Sequence, residues 1–313
     1  MSEFTAASVL LLAFFGDALF GDPPNRFHLV AWMGWPISWA RRRTKSKRNA
    51  VRFLLGGLVV GVGGTIVAAI GVLIERGCLG CPWWIAVPIQ AMLLKCTFSM
   101  RSLAGAARLV HDSLLANDIA EARRQVAYHL VSRDVSTLDS SQLSAATIES
   151  VAENTSDSVI APLFCFVIAG LPGALVYRFV NTCDAMLGYR TGELEWFGKV
   201  AARTDDVLNF IPARITAMFM LATYGVFARR FGSALEVWLR DHGLTASPNA
   251  GHPMSAAAGV LGVALEKQGC YLLGDGQSLP NCQSIDQSVW LLWITSLVAV
   301  VLFVTALVLR GVV

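Results

Sequence analysis

The sequence predicts an all-α protein, a polytopic integral membrane protein of roughly five to six membrane segments, one or two of them candidates for re-entrant segments. Three observations predict it. Of 313 residues, 55% are hydrophobic and only 15% charged, against about 25% charged in a soluble globular chain. Three runs carry no charge at all: the 22 residues Phe53–Ile74, the 20 residues Ser158–Tyr177 and the 21 residues Val289–Leu309. A helix needs about 20 apolar residues to cross the hydrocarbon core. Backbone groups in lipid must be bonded within the segment, which makes each run helical.

In chain order, residues 1–98 read as N-terminal spans with a basic loop. Phe4–Phe20 is apolar except for Asp17. Glu3 stands where a signal peptide would be basic, and no small-residue cleavage site follows, so this segment is expected to stay. Residues 41–52 then hold Arg41, Arg42, Arg43, Lys45, Lys47, Arg48 and Arg52 without an acid. Nucleic-acid binding is one reading of such a run. Its place directly before a 22-residue apolar run favours a cytoplasmic loop in the cell membrane. A short turn near Glu75–Cys81 leads to Gly77–Leu94, which contains Pro82 and Pro88.

Residues 99–157 form a polar helical insert. Asp118 followed by Glu121 predicts a capped helix to about His129, Ser132–Ser140 a loop, and Ser141 the start of a helix through Asp157. Residues 158–288 are a motif-rich region and the place to look for catalysis. Its first apolar run holds Pro162 and Gly170-Leu171-Pro172-Gly173 and is expected to be broken, with Pro162 and Pro172 as the breaks. Its second, Phe210–Ala228, carries Arg214. Residues 289–313 hold the last span, and the whole chain, 1–313, reads as a single membrane domain. The weaker runs, Phe4–Phe20, Gly77–Leu94 and Phe210–Ala228, also fit helices buried in a soluble core. Of the seven cysteines, Cys78 and Cys81 make a lone C-x-x-C that suits a turn better than a zinc site.

Four constellations bear chemistry. Glu149, Glu153 and Asp157 recur every four residues and share a helix face, with Asn154 beside them. A solvated acidic face is the bland reading, and a bound cation the functional one. Next, Asn181 and Asp184 precede Arg190, and Arg203, Asp205 and Asp206 precede Asn209. Their carboxylates and carboxamides are hard oxygen ligands of the kind Mg²⁺ takes alongside phosphate oxygens, and the flanking Arg178, Arg190, Arg203 and Arg214 suit phosphate or carboxylate. Charges paired at a membrane boundary are the alternative. Third, the loop Ser247–Ser255 is stiffened by two prolines, with Ser255 a candidate N-cap for a helix to Gln268 and Asn249 and His252 placed to touch an anion at its start. Fourth, Asp17 within an apolar span suggests function, while Asp22 could cap a turn and His28 is ambiguous. The chain has no Walker A pattern, G-x-S-x-G or H-E-x-x-H, so kinase-like and serine-hydrolase readings lack support.

Five of its segments resemble the adenosylcobinamide-phosphate synthase (CobD/CbiB) family of cobalamin biosynthesis. They are GDPPNRFHLVAWMG at 21–34, ESVAENTSDSVIAPLF at 149–164, GLPGALVYRFVNTCDAMLGYR at 170–190, FGKVAARTDDVLNFIPARITA at 197–217 and ASPNAGHPMSAAAGVLGVALEK at 246–267. His28-Leu29-Val30 and Cys183 are small departures from the family pattern, and neither removes a charge. The resemblance implies an ATP-dependent carbon–nitrogen ligase that joins aminopropanol, free or as its O-phosphate, to a propionate carboxylate of adenosylcobyric acid, a corrinoid substrate, at the cytoplasmic side of the membrane. ATP activation of a carboxylate needs Mg²⁺ and cationic groups. Asp184, Asp205 and Asp206 are the metal candidates. Arg190, Arg203 and Arg214 are the phosphate candidates, with Asn154, Asn181, Asn209, Asn249 and Ser255 as further binding residues. Glu149, Glu153 and His252 are the candidate general bases. A membrane Mg²⁺-dependent phosphotransferase or prenyltransferase is an alternative, but it would need an Asp-rich motif this chain lacks. A non-catalytic sensor of the AmpE type is another, and it leaves the clustered acids and arginines unexplained.

Overall fold

The computed structural model describes residues 3–23, 26, 29–44, 48–188, 194–225, 227 and 229–311. The chain is helical nearly throughout: α1 (Glu3–Phe20), α2 (Leu29–Arg43), α3 (Asn49–Cys78), α4 (Trp83–Lys95), α5 (Met100–Leu115), α6 (Ile119–His129), α7 (Ser140–Thr155), α8 (Ala161–Leu187), α9 (Leu194–Phe197), α10 (Lys199–Leu208), α11 (Phe210–Met220), α12 (Phe231–Asp241), α13 (Gly251–Leu261) and α14 (Cys282–Arg310). One hairpin, β1 (Leu265–Lys267) and β2 (Tyr271–Leu273), pairs antiparallel with Lys267 opposite Tyr271.

Among the described residues, three helical stretches are long and apolar enough to cross a membrane: Asn49–Cys78, Ser140–Leu187 and Cys282–Arg310. A fourth is added if the bent pair Lys199–Leu208 and Phe210–Tyr224 counts as one span. Of the other expected segments, α4 has 13 residues and the apolar part of α1 is Thr5–Phe20, both shorter than the roughly 20 residues a straight crossing helix uses. The basic run is divided: Arg41–Arg43 finish α2, Arg52 lies in α3, and residues 45–47 lie outside the described residues, as does His28.

Contacts sort the chain into two units. The first comprises Met1–Ser99, Ala161–Asn209 and Val300–Val313, and the second Met100–Ile160 and Phe210–Ala299. The region 158–288 contributes Ala161–Asn209 to the first unit and the remainder to the second.

In the first unit, α1 packs on α4 and α3 along α8. Asp17, fully buried, lies 3.3 Å from Lys95 Nζ, which also pairs with Asp22 Oδ1. Its burial is thus answered by an ion pair between packed helices. The expected break in the 158–177 run is present, at Ala169 and Gly170, whose backbone is non-helical, and not at Pro162. Gly170 takes φ +64°, which favours glycine, and a Cβ there would meet Glu75. In an unbroken helix the Leu171 N–H would bond the Val167 carbonyl. Here Leu171 N–H donates to Glu75 Oε1 at 2.8 Å, and Arg310 Nη1 donates to the Val167 carbonyl at 2.8 Å. Both freed backbone groups are met by charged side chains from α3 and α14, which makes a broken helix tolerable in an apolar setting.

In the second unit, α13 is buried along its whole length among α7, α11 and α12. α6 is capped by Asp118, which accepts from Glu121 N–H, and α7 by a capping box of Asp139 and Gln142. A π-helical turn, Ser156–Ile160, follows α7. The expected helix from Ser255 to Gln268 is corrected. α13 begins at Gly251 and ends at Leu261, with Gly262 left-handed at φ +68°. Ser255 is an interior residue whose hydroxyl donates to the Gly251 carbonyl at 2.6 Å, so it caps nothing. Glycine stops the helix there, and the following residues pair as β1 and β2, with β1 against α7.

Candidate functional site

Three polar clusters sit in this frame. The first is built by α8 and α10. Tyr177, Asn181 and Asp184 recur at helical spacing on α8, and Asp205 with the C-cap Asn209 on α10. Asn181 Nδ2 donates to Asp205 Oδ1 at 3.3 Å and Asn209 Nδ2 to Oδ2 at 2.9 Å. Behind them, Tyr177 Oη donates to Asn209 Oδ1 at 2.8 Å and Arg178 Nη1 to Asn181 Oδ1 at 3.4 Å. Asp205 is thereby fixed in a buried chain of donors and acceptors. Asp184 is near enough for its charge to oppose that of Asp205. Asp206 faces Arg203, whose Nη1 is 3.8 Å from Oδ2 and whose side chain is largely exposed. Arg190 lies outside the described residues.

Among the described residues no three His, Cys, Asp or Glu side chains converge on one metal position. The set Asp184, Asp205 and Asp206 is therefore not a closed three-carboxylate cage. The donor chemistry still fits Mg²⁺, which takes one or two carboxylates and completes its shell with water and phosphate oxygens. Each oxygen of Asp205 accepts one amide hydrogen and keeps a lone pair. A buried carboxylate, Asp205, beside the half-buried Asp184 is a place where a cation relieves repulsion.

The second cluster lies between α7 and the hairpin. A cavity of about 200 Å³ is lined by Arg133, Glu149, Ser150, Glu153, Lys267 and Tyr271, among others. Glu149 is buried, with Oε2 at 3.4 Å from Arg133 Nη2, and its Oε1 has no hydrogen-bond partner among the described residues. Burial, together with the negative charges of Glu149 and Glu153, holds the Tyr271 phenol well above its ordinary pKa. Asn154 is not turned to this work: Nδ2 donates to the Ser150 carbonyl at 2.9 Å and Oδ1 accepts from Ser158 at 3.0 Å.

The third cluster surrounds the start of α13. Arg214 Nη1 donates to Asn249 Oδ1 at 3.3 Å, and its guanidinium stacks 3.6 Å from the Phe210 ring centroid. Trp238 Nε1 donates to His252 Nδ1 at 3.2 Å, and the His242 ring stacks on His252 at 4.6 Å. Burial, then the positive charges of Arg214 and His242, lower His252 to about 4. With Nδ1 occupied as an acceptor, the neutral ring carries its proton on Nε2. That makes it a hydrogen-bond donor and a poor base.

Sequence reasoning missed Tyr177, Arg133, Lys267 and Tyr271. Tyr177 was findable, lying four residues before Asn181. The other three belong to a loop and a hairpin whose approach to α7 no local pattern encodes.

Acid, amide and arginine clusters thus occur in an all-α protein with membrane-length apolar helices. The family model for the CobD/Cbib protein matches residues 10–309, and the chain belongs to that family, an enzyme family of cobalamin biosynthesis whose pathway implies a corrinoid substrate. The chain is 43% identical over 267 residues to the cobalamin biosynthesis protein CobD of Dehalococcoides mccartyi, covering 85% of this chain and 86% of the relative. It is 41% identical over 275 residues to the probable cobalamin biosynthesis protein CobD of Methanothermobacter thermautotrophicus, covering 88% of each. The Photorhabdus laumondii protein of the same name is 34% identical over 308 residues, 93% of this chain and 94% of the relative. No solved structure matches.

Proposed function

We propose that this protein is an ATP-dependent ligase of cobalamin biosynthesis, joining aminopropanol, free or as its O-phosphate, to a propionate carboxylate of adenosylcobyric acid. Membership of the CobD/Cbib family across residues 10–309 carries the reading. The chemistry has two steps. A carboxylate oxygen of the corrinoid attacks the γ-phosphorus of ATP, giving an acyl phosphate and ADP. The amine nitrogen then attacks the acyl carbon, inorganic phosphate leaves, and the amine's proton passes to a base.

Mg²⁺, when bound, would neutralise charge on the transferring phosphoryl group. Asp205 and Asp184 would hold it, with Asn181 and Asn209 fixing the Asp205 carboxylate. Arg203, on the exposed side of α10, and Arg190 are positioned in sequence to reach phosphate oxygens. Arg214, oriented by Asn249 and Phe210, offers a further cation. Glu149 and Glu153 serve the amine, Glu149 Oε1 being a buried acceptor still open to a donor. The active site is proposed to face the cytoplasm at the cell membrane, where ATP is found.

The test is direct. Purified protein in nanodiscs is given adenosylcobyric acid, ATP, Mg²⁺ and either aminopropanol or its phosphate. Formation of adenosylcobinamide or its phosphate, with one ADP released per amide, is expected. Amide formation without ATP, or ATP hydrolysis without amide, would reject the reading.

A further inference from the structure

A groove runs through the first unit between α2 and α3, with α8 as its floor. Both helices pack on α8, and the space between them holds about 510 Å³, the size of a small-molecule site. Trp32, Pro36 and Trp39 of α2, Leu58 and Ile70 of α3, and Phe179 of α8 are among its walls, and no charged side chain among the described residues lines it. Gly63 lets the floor come close, since a Cβ there would overlap the Phe179 ring. From Leu58 to Ile70 the groove follows α3 for roughly 18 Å at about 1.5 Å per residue. That is close to the depth of one leaflet, half of a hydrocarbon core of about 30 Å.

The walls are apolar, but one end is cationic. From Ala40, on the groove, α2 runs straight into Arg41, Arg42 and Arg43, all exposed. Arg43 stands three residues past Ala40 and so extends the groove face. Its guanidinium lies 5.5 Å from the ring centroid of Trp39, itself a groove residue. On α3, Arg52, Val59 and Ile66 recur every seven residues and share a face, and Val59 and Ile66 line the groove. α2 ends at Arg43 and α3 begins at Asn49, a short connection that puts Arg43 and Arg52 at the same end. Residues 41–52 contain no acid. Basic pockets between membrane helices take anionic headgroups, and Trp side chains sit at the level where headgroup meets hydrocarbon.

We propose that this groove binds one anionic diacyl phospholipid from the surrounding bilayer. An acyl chain lies between α2 and α3 on Phe179, and the phosphate meets Arg43 and Arg52, with Arg41 and Arg42 adding to the local positive potential. The lipid completes the seat of α2, whose 15 residues are too few to cross the bilayer alone. This site does not depend on the ligase reading.

Native mass spectrometry on the full chain in detergent tests this with three probes: dioleoyl phosphatidylglycerol, dioleoyl phosphatidylcholine and glycerol phosphate. Phosphatidylglycerol should bind at least about tenfold more tightly than phosphatidylcholine, and glycerol phosphate, which has no chains, should not be retained. The double variant Arg43→Gln, Arg52→Gln should bring phosphatidylglycerol down to the level of phosphatidylcholine, and the corresponding double Lys variant should restore most of the preference. Ile66→Trp, which fills the groove, should weaken both lipids. Added phosphatidylglycerol should raise the melting temperature of the parent and leave that of Ile66→Trp where it was. Equal binding of the two lipids overturns the proposal. So does unchanged phosphatidylglycerol binding in the double Gln variant, or in Ile66→Trp, which would place the lipid on another surface. A dimer that excludes phosphatidylglycerol and is broken by Ile66→Trp would give the groove to a second copy of the chain and overturn it as well.

Discussion

Asp205 and Glu149 are both buried carboxylates in polar clusters, one in each unit, and they are held in opposite ways. Both oxygens of Asp205 are met by amides, which are themselves held by Tyr177 and Arg178. Glu149 has a long contact to Arg133 and one oxygen with no donor among the described residues. A satisfied network of this kind fixes a charge in place before any ligand arrives. An unsatisfied one is a place the folded protein leaves open. The difference separates a prepared charge centre from a receptor, and substitutions should tell the two apart.

The largest effect is expected at Asp205. Asp205→Asn should lower amide formation by roughly three orders of magnitude or more and raise the Mg²⁺ requirement of any residual turnover. It should also lower thermal stability, because the amides of Asn181 and Asn209 would then face another amide. An Asp184→Asn variant should share the Mg²⁺ effect with less loss of stability. If neither change alters the Mg²⁺ dependence, the acids serve packing alone and the comparison collapses.

Glu149→Gln comes next. Loss of a general base should cost about 10²–10⁴ in kcat, with stability close to that of the parent, since the substitution gives up only a long contact to Arg133 and removes a buried carboxylate oxygen that no donor meets. Activity and stability thus fall together at Asp205 and separate at Glu149. A Glu149→Gln protein that melts early would mark Glu149 as a structural partner of Arg133.

Much of this was legible in the sequence. The charge-free runs gave the long helices, the Asp118 cap is a side chain acting on its own helix, and the 181/184 and 205/209 spacings already put the acids and amides on shared faces. What was not legible depends on distance in the chain. The break at Gly170 was expected at prolines, because proline is the local signal. Its position is set instead by Glu75 and Arg310, which lie far off in sequence and supply the missing hydrogen bonds. Ser255 looked like a cap because it closes a loop stiffened by two prolines, but small residues let α13 be buried from Gly251 onward. Lys267 and Tyr271 reached the Glu149 cavity only through a hairpin that the alternation of so short a segment does not announce.

The break offers a smaller, purely structural test. Glu75→Ala leaves the Leu171 N–H without its acceptor, and an unmet buried backbone donor costs about 1–3 kcal/mol. Gly170→Ala should cost a similar amount, because φ +64° is unfavourable for alanine. Both should lower the melting temperature without changing the KM for either substrate. A change in KM with stability intact would place the break within the binding site.

The smallest expected effect concerns His252, and it asks whether the α13 cluster behaves as a fixed scaffold or as a third titrating centre. Burial, Arg214 and His242 hold the ring at about 4 in the folded protein, against about 6.5 in the unfolded chain. Above 6.5 the ring is neutral in both states and the native contact from Trp238 is fully available. As pH falls from 6.5 toward 4, the unfolded chain takes up the proton and the folded protein does not, so stability falls with pH, and the loss levels off below about 4. His252→Gln removes this dependence. Melting curves taken between pH 4 and 7 should therefore converge for parent and variant at the acid end and separate toward neutrality. The same substitution should leave the acid limb of the activity profile in place, because a ring held at about 4 is neutral over most of that range and is not the group that titrates near neutrality. If the acid limb vanishes with His252, proton abstraction belongs to α13, and Glu149 is a binding residue only.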